Sequence, residues 1–501
     1  MIPGAHPILS CDEARALEAK IFGGDELKEW TAMQRAGRAV AAAVLRDFEE
    51  IGGFPAEGKI LVLAGKGHNG GDALIAAQAL LEKFPRASAE VIFVFGERTL
   101  RPLAARAWRE LAHAMRERVR GSAGILPAAR ENAGGTPALP FALSLDGIFG
   151  FQFHPPAEPR VVALIEKINA LPVRLRAAVD LPSADLFRAD FTYATGCVKT
   201  PLVGSLRAGR VRYLDLGFFE GDGFPGTDGR VLTAKVLAPL AALREPFSDK
   251  RTFGHVFLVG GSRCYPGAIL MSTLAALRSG AGLVTACVPE SLVPAFAARV
   301  PEAMWIGWPE TPGGGLALEG EHLLRARWER ASAVVIGPGL GRETETLALV
   351  EGIARTSPVP LVIDADALQP AVVRAGSAAR ILTPHAGEYK RIAQGADLPK
   401  VGSRCHVTTV LKGPRTLVLN EAGVFSSFFG GPVLARGGSG DLLAGLIGGL
   451  LAQTPDEPLL AAARGVVWHG LAADALARAH GQVAVQTTQL LDFLPAVLRE
   501  L

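Results

Sequence analysis

Short, unbroken apolar runs alternate with alanine-rich segments along the whole chain. Lys59 to Ala64 reads as a buried strand and Ala73 to Lys83 as the helix that follows it. Val91 to Phe95, Ala177 to Asp180, His255 to Val259, Ala333 to Ile336, Leu361 to Asp364 and Thr408 to Lys412 continue the strand series. Strands that are apolar at every position, with helices between them, belong to parallel sheets covered on both faces. Two stretches break the rhythm. Gly121 to Pro140 is rich in Ala, Gly and Pro and partly repeats itself, so it is expected to be a low-complexity surface insertion. Glu220 to Gly229 has the turn residues of a linker. A boundary there divides the chain into residues 1–222 and 223–501, each an α/β domain with its own sheet.

Composition narrows the class. The chain has 501 residues, 49% of them hydrophobic, enough for two or more cores. Its net charge is +3, from 52 basic and 49 acidic residues with no cationic block, so a nucleic-acid partner is not expected. Cys11, Cys197, Cys264, Cys287 and Cys405 are odd in number and scattered, which argues against a disulfide framework or a zinc site and for a reducing compartment. The first ten residues lack the pattern of a secretory signal, and the apolar stretch Leu442 to Ala452 is too short to span a bilayer. A cytoplasmic protein without a membrane partner is expected.

Chemistry concentrates at strand ends. Gly65 to Asp72 (GKGHNGGD) follows a strand and opens a helix, where free amides and the helix dipole favour an anion. Its spacing is not that of a dinucleotide fingerprint, and taken alone it is equally an ordinary tight turn. Asn69 and Asp72 add polar groups that can hold hydroxyls or a cation. Asp146 and Asp180 close two further strands; each alone would cap a turn, but together with the glycine loop they suggest a shared crevice.

Five segments of the second half carry chemistry: Gly260 to Ala268, Gly337 to Gly341, Leu382 to Glu388, Lys412 to Thr416, and Gly437 to Asp441. The last is the strongest. Glycines before a long apolar helix build an anion hole from backbone amides, and an aspartate there can take the proton of a hydroxyl attacking a phosphate. An isolated Asp441 would be an ordinary N-terminal helix acid; beside the other four segments the base reading prevails. His385, at a strand end between Pro384 and Gly387, is a candidate ligand contact. Glu388 either orients a metal–phosphate group or begins the next helix.

These residues resemble the bifunctional NAD(P)H-hydrate repair enzymes, an NAD(P)H-hydrate epimerase fused to an ADP- or ATP-dependent NAD(P)H-hydrate dehydratase. In the first half the resemblance rests on Ala32 to Gly37, His68 to Asp72, Asp146 to Gly150 and Val179 to Ser183. In the second it rests on Gly260 to Ser262 through Ala268, Gly337 to Gly341, Asp364 to Leu368, Thr383 to Glu388, Lys412-Gly413 and Gly438 to Asp441. It implies a Rossmann-like three-layer first domain and a ribokinase-like second domain. The substrates would be NADH and NADPH hydrated at C6. The first half would interconvert the R and S epimers, and the second would dehydrate the S epimer as ADP becomes AMP and phosphate.

By the family pattern, Ala268, Gly339, His385 and Asp441 contact the hydrate, Asp441 being catalytic, and Lys412, Gly413, Pro414, Arg415, Thr416 and Gly440 contact the adenine nucleotide. In the first half His68, Asn69, Gly70, Gly71, Asp72 and Asp180 hold the hydrate, while Asn69, Asp146 and Ser183 bind potassium. Magnesium accompanies the nucleotide, and a homo-oligomer is expected. The first half departs from the pattern: His68 replaces an asparagine, Gly150-Phe151-Gln152 replaces a glycine–threonine–glycine loop, and Ala184 replaces a glycine. The second half departs at Asp249 to Thr252. The competing reading is a kinase of a small alcohol, such as a vitamin precursor, with a non-catalytic first half.

Overall fold

The computed structural model describes residues 2–121, 141–220, 227, 229–393 and 407–501. Two compact units emerge: residues 7–227, and residues 228–501 together with residues 1–6. Residues 122–140 of the expected insertion, and most of the expected linker, lie outside the described residues.

The strands met along the first unit are β1 (Ala5–Leu9), which belongs to it from Pro7 onward, β2 (Lys59–Ala64), β3 (Ser88–Phe93), β4 (Phe141–Gly147), β5 (Val173–Val179), β6 (Phe191–Thr195), β7 (Val198–Lys199) and β8 (Arg210–Leu214). Six form one parallel sheet in the order β3-β2-β4-β5-β6-β8. Ile8 and Leu9 of β1 pair in parallel with Val198 and Lys199 of β7. Alternate residues of β2 enter opposite cores. Ile60, Val62 and Ala64 pack with Val40, Val44, Leu74 and Leu111 from helices on one face. Leu61 and Leu63 pack with Val161 and Ile165 of the helix Pro159–Ala170 on the other. This is why the run is apolar without alternation: a strand covered on both faces has no solvent side. Each such side chain, fully buried, contributes about 1.5–3 kcal/mol.

The helix expected from Ala73 begins at His68 and runs to Lys83. Glycine reads as a helix breaker in sequence, but Gly70 and Gly71 are there for packing: a Cβ would lie 2.4 Å from the Gly65 carbonyl oxygen at the first and 2.6 Å from Met33 Sδ at the second. Gly65 itself allows the closest approach in the unit. Its amide bonds the Gly147 carbonyl at 3.0 Å, and a Cβ there would stand 1.9 Å from the Ile148 carbonyl oxygen. The loops after β2 and β4 therefore meet backbone to backbone.

The second unit contains β9 (Gly229–Leu232), β10 (His255–Val259), β11 (Leu283–Pro289), β12 (Met304–Trp308), β13 (Ala333–Ile336), β14 (Leu361–Ile363), β15 (Arg380–Leu382), β16 (Val407–Leu411), β17 (Thr416–Asn420) and β18 (Gly423–Ser427). Their order is β12-β11-β10-β13-β14-β15-β16-β17-β18-β9. Val256 and Leu258 face a core with the helices Pro266–Arg278, Ser439–Gln453 and Pro458–His480. Phe257 and Val259 face the opposite core with Leu349 and Ile353 of the helix Thr344–Thr356. The all-parallel expectation fails at one place: β16-β17 and β17-β18 are antiparallel. Only Glu421 and Ala422 separate β17 from β18, too few for the crossover that parallel strands need. Leu442 to Ala452 are all buried, so the helix Ser439–Gln453 is apolar all round because it is a core helix. No described helix is long and apolar enough to cross a membrane.

Candidate active sites

A cavity of about 530 Å³ opens at the C-terminal ends of the strands of the first unit. Of the expected site residues, His68, Asn69, Asp72 and Asp180 line it; Gly70 and Gly71 do not, being buried against Gly65 and Met33. Phe95, Phe149, Phe151 and Phe153 form an aromatic wall, with the rings of Phe149 and Phe153 stacked 4.1 Å apart. Phe151 and Gln152 stand in that wall, so the altered loop keeps a lining role with aromatic chemistry. His68 lies 3.8 Å from Glu29, and burial lowers its pKa, favouring a neutral ring at neutral pH.

Asp146 and Ser183 meet behind this cavity. The Ser183 amide and hydroxyl donate to the Asp146 carboxylate at 2.8 and 2.6 Å, and the Ile148 amide donates at 3.2 Å. Phe149 is held from both sides: its amide donates to Ser183 Oγ at 3.0 Å, and its carbonyl accepts from Asn69 Nδ2 at 2.8 Å. Asp146 is fully buried, and burial outweighs these bonds enough to push its pKa up to about 6. A buried carboxylate whose neighbours are amides, a hydroxyl and a carbonyl offers the oxygen donors that suit a hard cation.

Next to Ser183, Ala184 has φ +55 and ψ 18, in the left-handed region. A Cβ there costs about 1–2 kcal/mol, which accounts for the glycine that the family carries at this position. Ala184→Gly is expected to stabilise the first unit by about 1 kcal/mol, and so raise the Tm of its calorimetric transition by roughly 2–4 °C. An unchanged or lower Tm would show that the turn stores no such strain.

In the second unit the segments converge on the start of the helix Ser439–Gln453. Its N-cap, Gly438, has φ +90, a conformation glycine adopts without a Cβ penalty, and no side chain caps the first turn. The first-turn amides are thus left for a ligand. Lys412 reaches over this turn: its Nζ lies 3.1 Å from where a Gly440 Cβ would sit, and 2.9 Å from Asp364 Oδ1. Thr383 Oγ1 donates to the same Asp364 oxygen at 2.7 Å. Asp441 is pushed up to about 7, first by burial and then by the carboxylates of Asp364 and Glu388, with Lys412 opposing.

His385 joins Lys412 through a backbone bridge, and the Lys412 amide bonds the Pro384 carbonyl at 2.8 Å. Glu388 lies in the first turn of the helix Ala386–Ala393 and accepts from the His385 amide at 2.9 Å. Of its two readings, beginning the helix is the one this geometry supports. Ala268 and Gly339 meet across a neighbouring loop: a Cβ on Gly339 would be 3.1 Å from that of Ala268. Gly413 to Arg415 form the turn between β16 and β17, which Thr416 opens.

Sequence reading assigned no role to Asp364, although its strand-end motif marked the position. It passed over Glu18 and Lys199, which line the first cavity. Glu18 is one acid among several on an amphipathic helix, and Lys199 sits in a two-residue strand; neither carries a local signature.

Both units have counterparts among known proteins. Residues 256–496 match the family model described as NAD(P)H-hydrate dehydratase, and residues 30–200 match that of the YjeF-related protein N-terminus. A bifunctional NAD(P)H-hydrate repair enzyme of Gloeobacter violaceus is 36% identical over 97% of this chain and 97% of its own length. One from Moorella thermoacetica is 35% identical over 94% of this chain and 92% of its own. Among solved structures, a ribokinase-like superfamily protein of Enterococcus faecalis is 30% identical, covering 56% of this chain and 99% of that one with a TM-score of 0.48. With both units matched and the likeness running almost end to end, the chain belongs to the bifunctional NAD(P)H-hydrate repair enzymes.

Proposed function

We propose that the two units act in turn on one damaged metabolite, NADH or NADPH carrying a hydroxyl at C6 of the nicotinamide ring. The first unit interconverts the R and S epimers. The second removes the hydroxyl of the S epimer at the expense of ADP or ATP. The observation that carries this reading is Asp441, a half-buried carboxyl with a pKa of about 7 at an uncapped helix start, beside the Lys412 ammonium.

Hydroxide is a poor leaving group, so the oxygen must first be phosphorylated. Asp441 takes the C6 hydroxyl proton as that oxygen attacks the terminal phosphorus, and AMP leaves when ADP is the donor. The open amides at Gly440 and Asp441, with Lys412, hold the phosphate charge. Gly413, Pro414, Arg415 and Thr416 line the nucleotide, while Ala268, Gly339 and His385 hold the hydrate. Magnesium on the nucleotide would spread the phosphate charge. Loss of phosphate from C6 and of a proton from C5 restores the ring double bond. A small-alcohol kinase is disfavoured by the dehydratase family match over residues 256–496.

In the first unit, His68, Asn69, Asp72 and Asp180 hold the hydrate. Asn69, Asp146 and Ser183 would hold a potassium ion, whose charge would offset the carboxylates against the substrate phosphates. The test supplies ADP with the R epimer alone, and then with both epimers. Recovery of reduced-nicotinamide absorbance with release of free phosphate is expected, faster for the R epimer than its spontaneous epimerisation allows and dependent on potassium. A stable phosphoester in place of free phosphate would sink the dehydratase reading.

A further inference from the structure

One group in the first cavity has no place in the scheme above. Lys199 ends β7, and its side chain is 1% exposed. Its ammonium pairs with Asp180 and donates to the Thr195 carbonyl at 2.9 Å, while the Phe151 ring lies 5.2 Å away. A buried ammonium is costly unless its partners are fixed. These are fixed. Asp180 has φ +64, a conformation unfavourable for aspartate, and its amide is tied to the Tyr193 carbonyl at 2.9 Å. Lys199, Asp180 and Thr195 all line the cavity, so the pair faces the ligand space.

Four more carboxyl residues line that space, Glu18, Glu29, Asp72 and Glu158. Asp72 is 8% exposed, and its Oδ1 has no hydrogen-bond partner. Glu18, partly buried on the helix Cys11–Phe22, lines the cavity together with Asp180, Glu29 and Lys199. Of these carboxyls, the Lys199 ammonium is in contact with Asp180.

We propose that Lys199 is the positioning residue of the epimerisation centre, holding Asp180 oriented as the base while Glu18 is the complementary acid. This rests on the epimerase reading above and deepens it. The surroundings of the two carboxyls differ in the required sense. Burial pushes Glu18 up to about 7, leaving it substantially protonated at neutral pH, whereas Asp180 has the ammonium in contact. A carboxyl raised by burial beside one held by an ammonium suits a division of acid and base roles.

The chemistry balances without a further reactant. C6 carries both the hydroxyl and N1, so it is a hemiaminal carbon. Asp180 takes the hydroxyl proton, the C6–O bond becomes a carbonyl, and the C6–N1 bond breaks with its electron pair going to N1. Glu18 supplies the proton that N1 gains. Rotation about C5–C6 presents the other carbonyl face, and the reverse steps close the ring with inverted C6 and both carboxyls restored.

The test uses the whole protein with ADP, its dehydratase unit serving as reporter. Lys199→Met removes the contact that orients Asp180. Recovery from the R epimer should fall about 100-fold in kcat with little change in KM. Lys199→Arg should restore part of the rate. Turnover of the S epimer should be unchanged. Asp180→Asn keeps the shape of the pair and removes the base, so it should fall as far even if Lys199→Met does not fold. Near wild-type kcat for the R epimer in a folded Lys199→Met, or near wild-type epimerisation by Asp180→Asn, overturns the assignment. Wild-type protein no faster than the spontaneous control would instead overturn the epimerase reading itself.

Discussion

Asp441→Asn should lose dehydration by a factor of about 100 to 10,000 while keeping its melting temperature. The carboxylate sits at the start of a helix whose next eleven residues are buried, and the amide fits the same space without accepting a proton. The wild-type pH profile provides a second check. Asp441 is raised to about 7, and the base must be ionised to work. Below that pH the group is protonated and the rate should fall about tenfold per unit; above it the rate should level off. Near wild-type turnover in the variant, or a wild-type rate that is flat between pH 5 and 8, would remove Asp441 from the chemistry.

Lys412→Met should have the second-largest effect. Lys412 is the ammonium in contact with Asp364, whose side chain is 2% exposed, and Lys412 itself is 23% exposed. Removing one partner of a buried pair costs about 3–5 kcal/mol, and the partial exposure of the lysine reduces this to roughly 2–3 kcal/mol. The loss should be read from the denaturation midpoint of the second unit. Asp364→Asn in the same chain should recover much of it, since no uncompensated carboxylate then remains. Lys412 also lowers the pKa of Asp441, so any residual dehydration should show its acidic limb at higher pH. A double variant no more stable than Lys412→Met alone would mean that the pair carries no coupling.

The sequence by itself determined the layered α/β architecture and marked the segments that meet at the start of the helix Ser439–Gln453. β10 and β13 fall where the apolar runs put them, because a strand buried on both faces leaves no choice of side chain but apolar. Gly438 to Asp441 was legible because an anion hole at a helix start needs glycine and an acid in a fixed local order, and local order is what a sequence displays.

Only the tertiary structure decided the rest. The helix from His68 swallowed glycines that look like a loop, since Gly70 and Gly71 answer to Gly65 and Met33, neither adjacent along the helix. The β16 to β18 strands turned antiparallel because their connections are short, a matter of register with partners rather than of composition. The Lys199–Asp180 pair joins residues 19 apart, and Glu18 reaches the same cavity from the other end of the domain's sequence. A charge acquires its meaning from what is buried beside it. That neighbour is chosen by the fold of the whole unit, and no spacing along the chain records it.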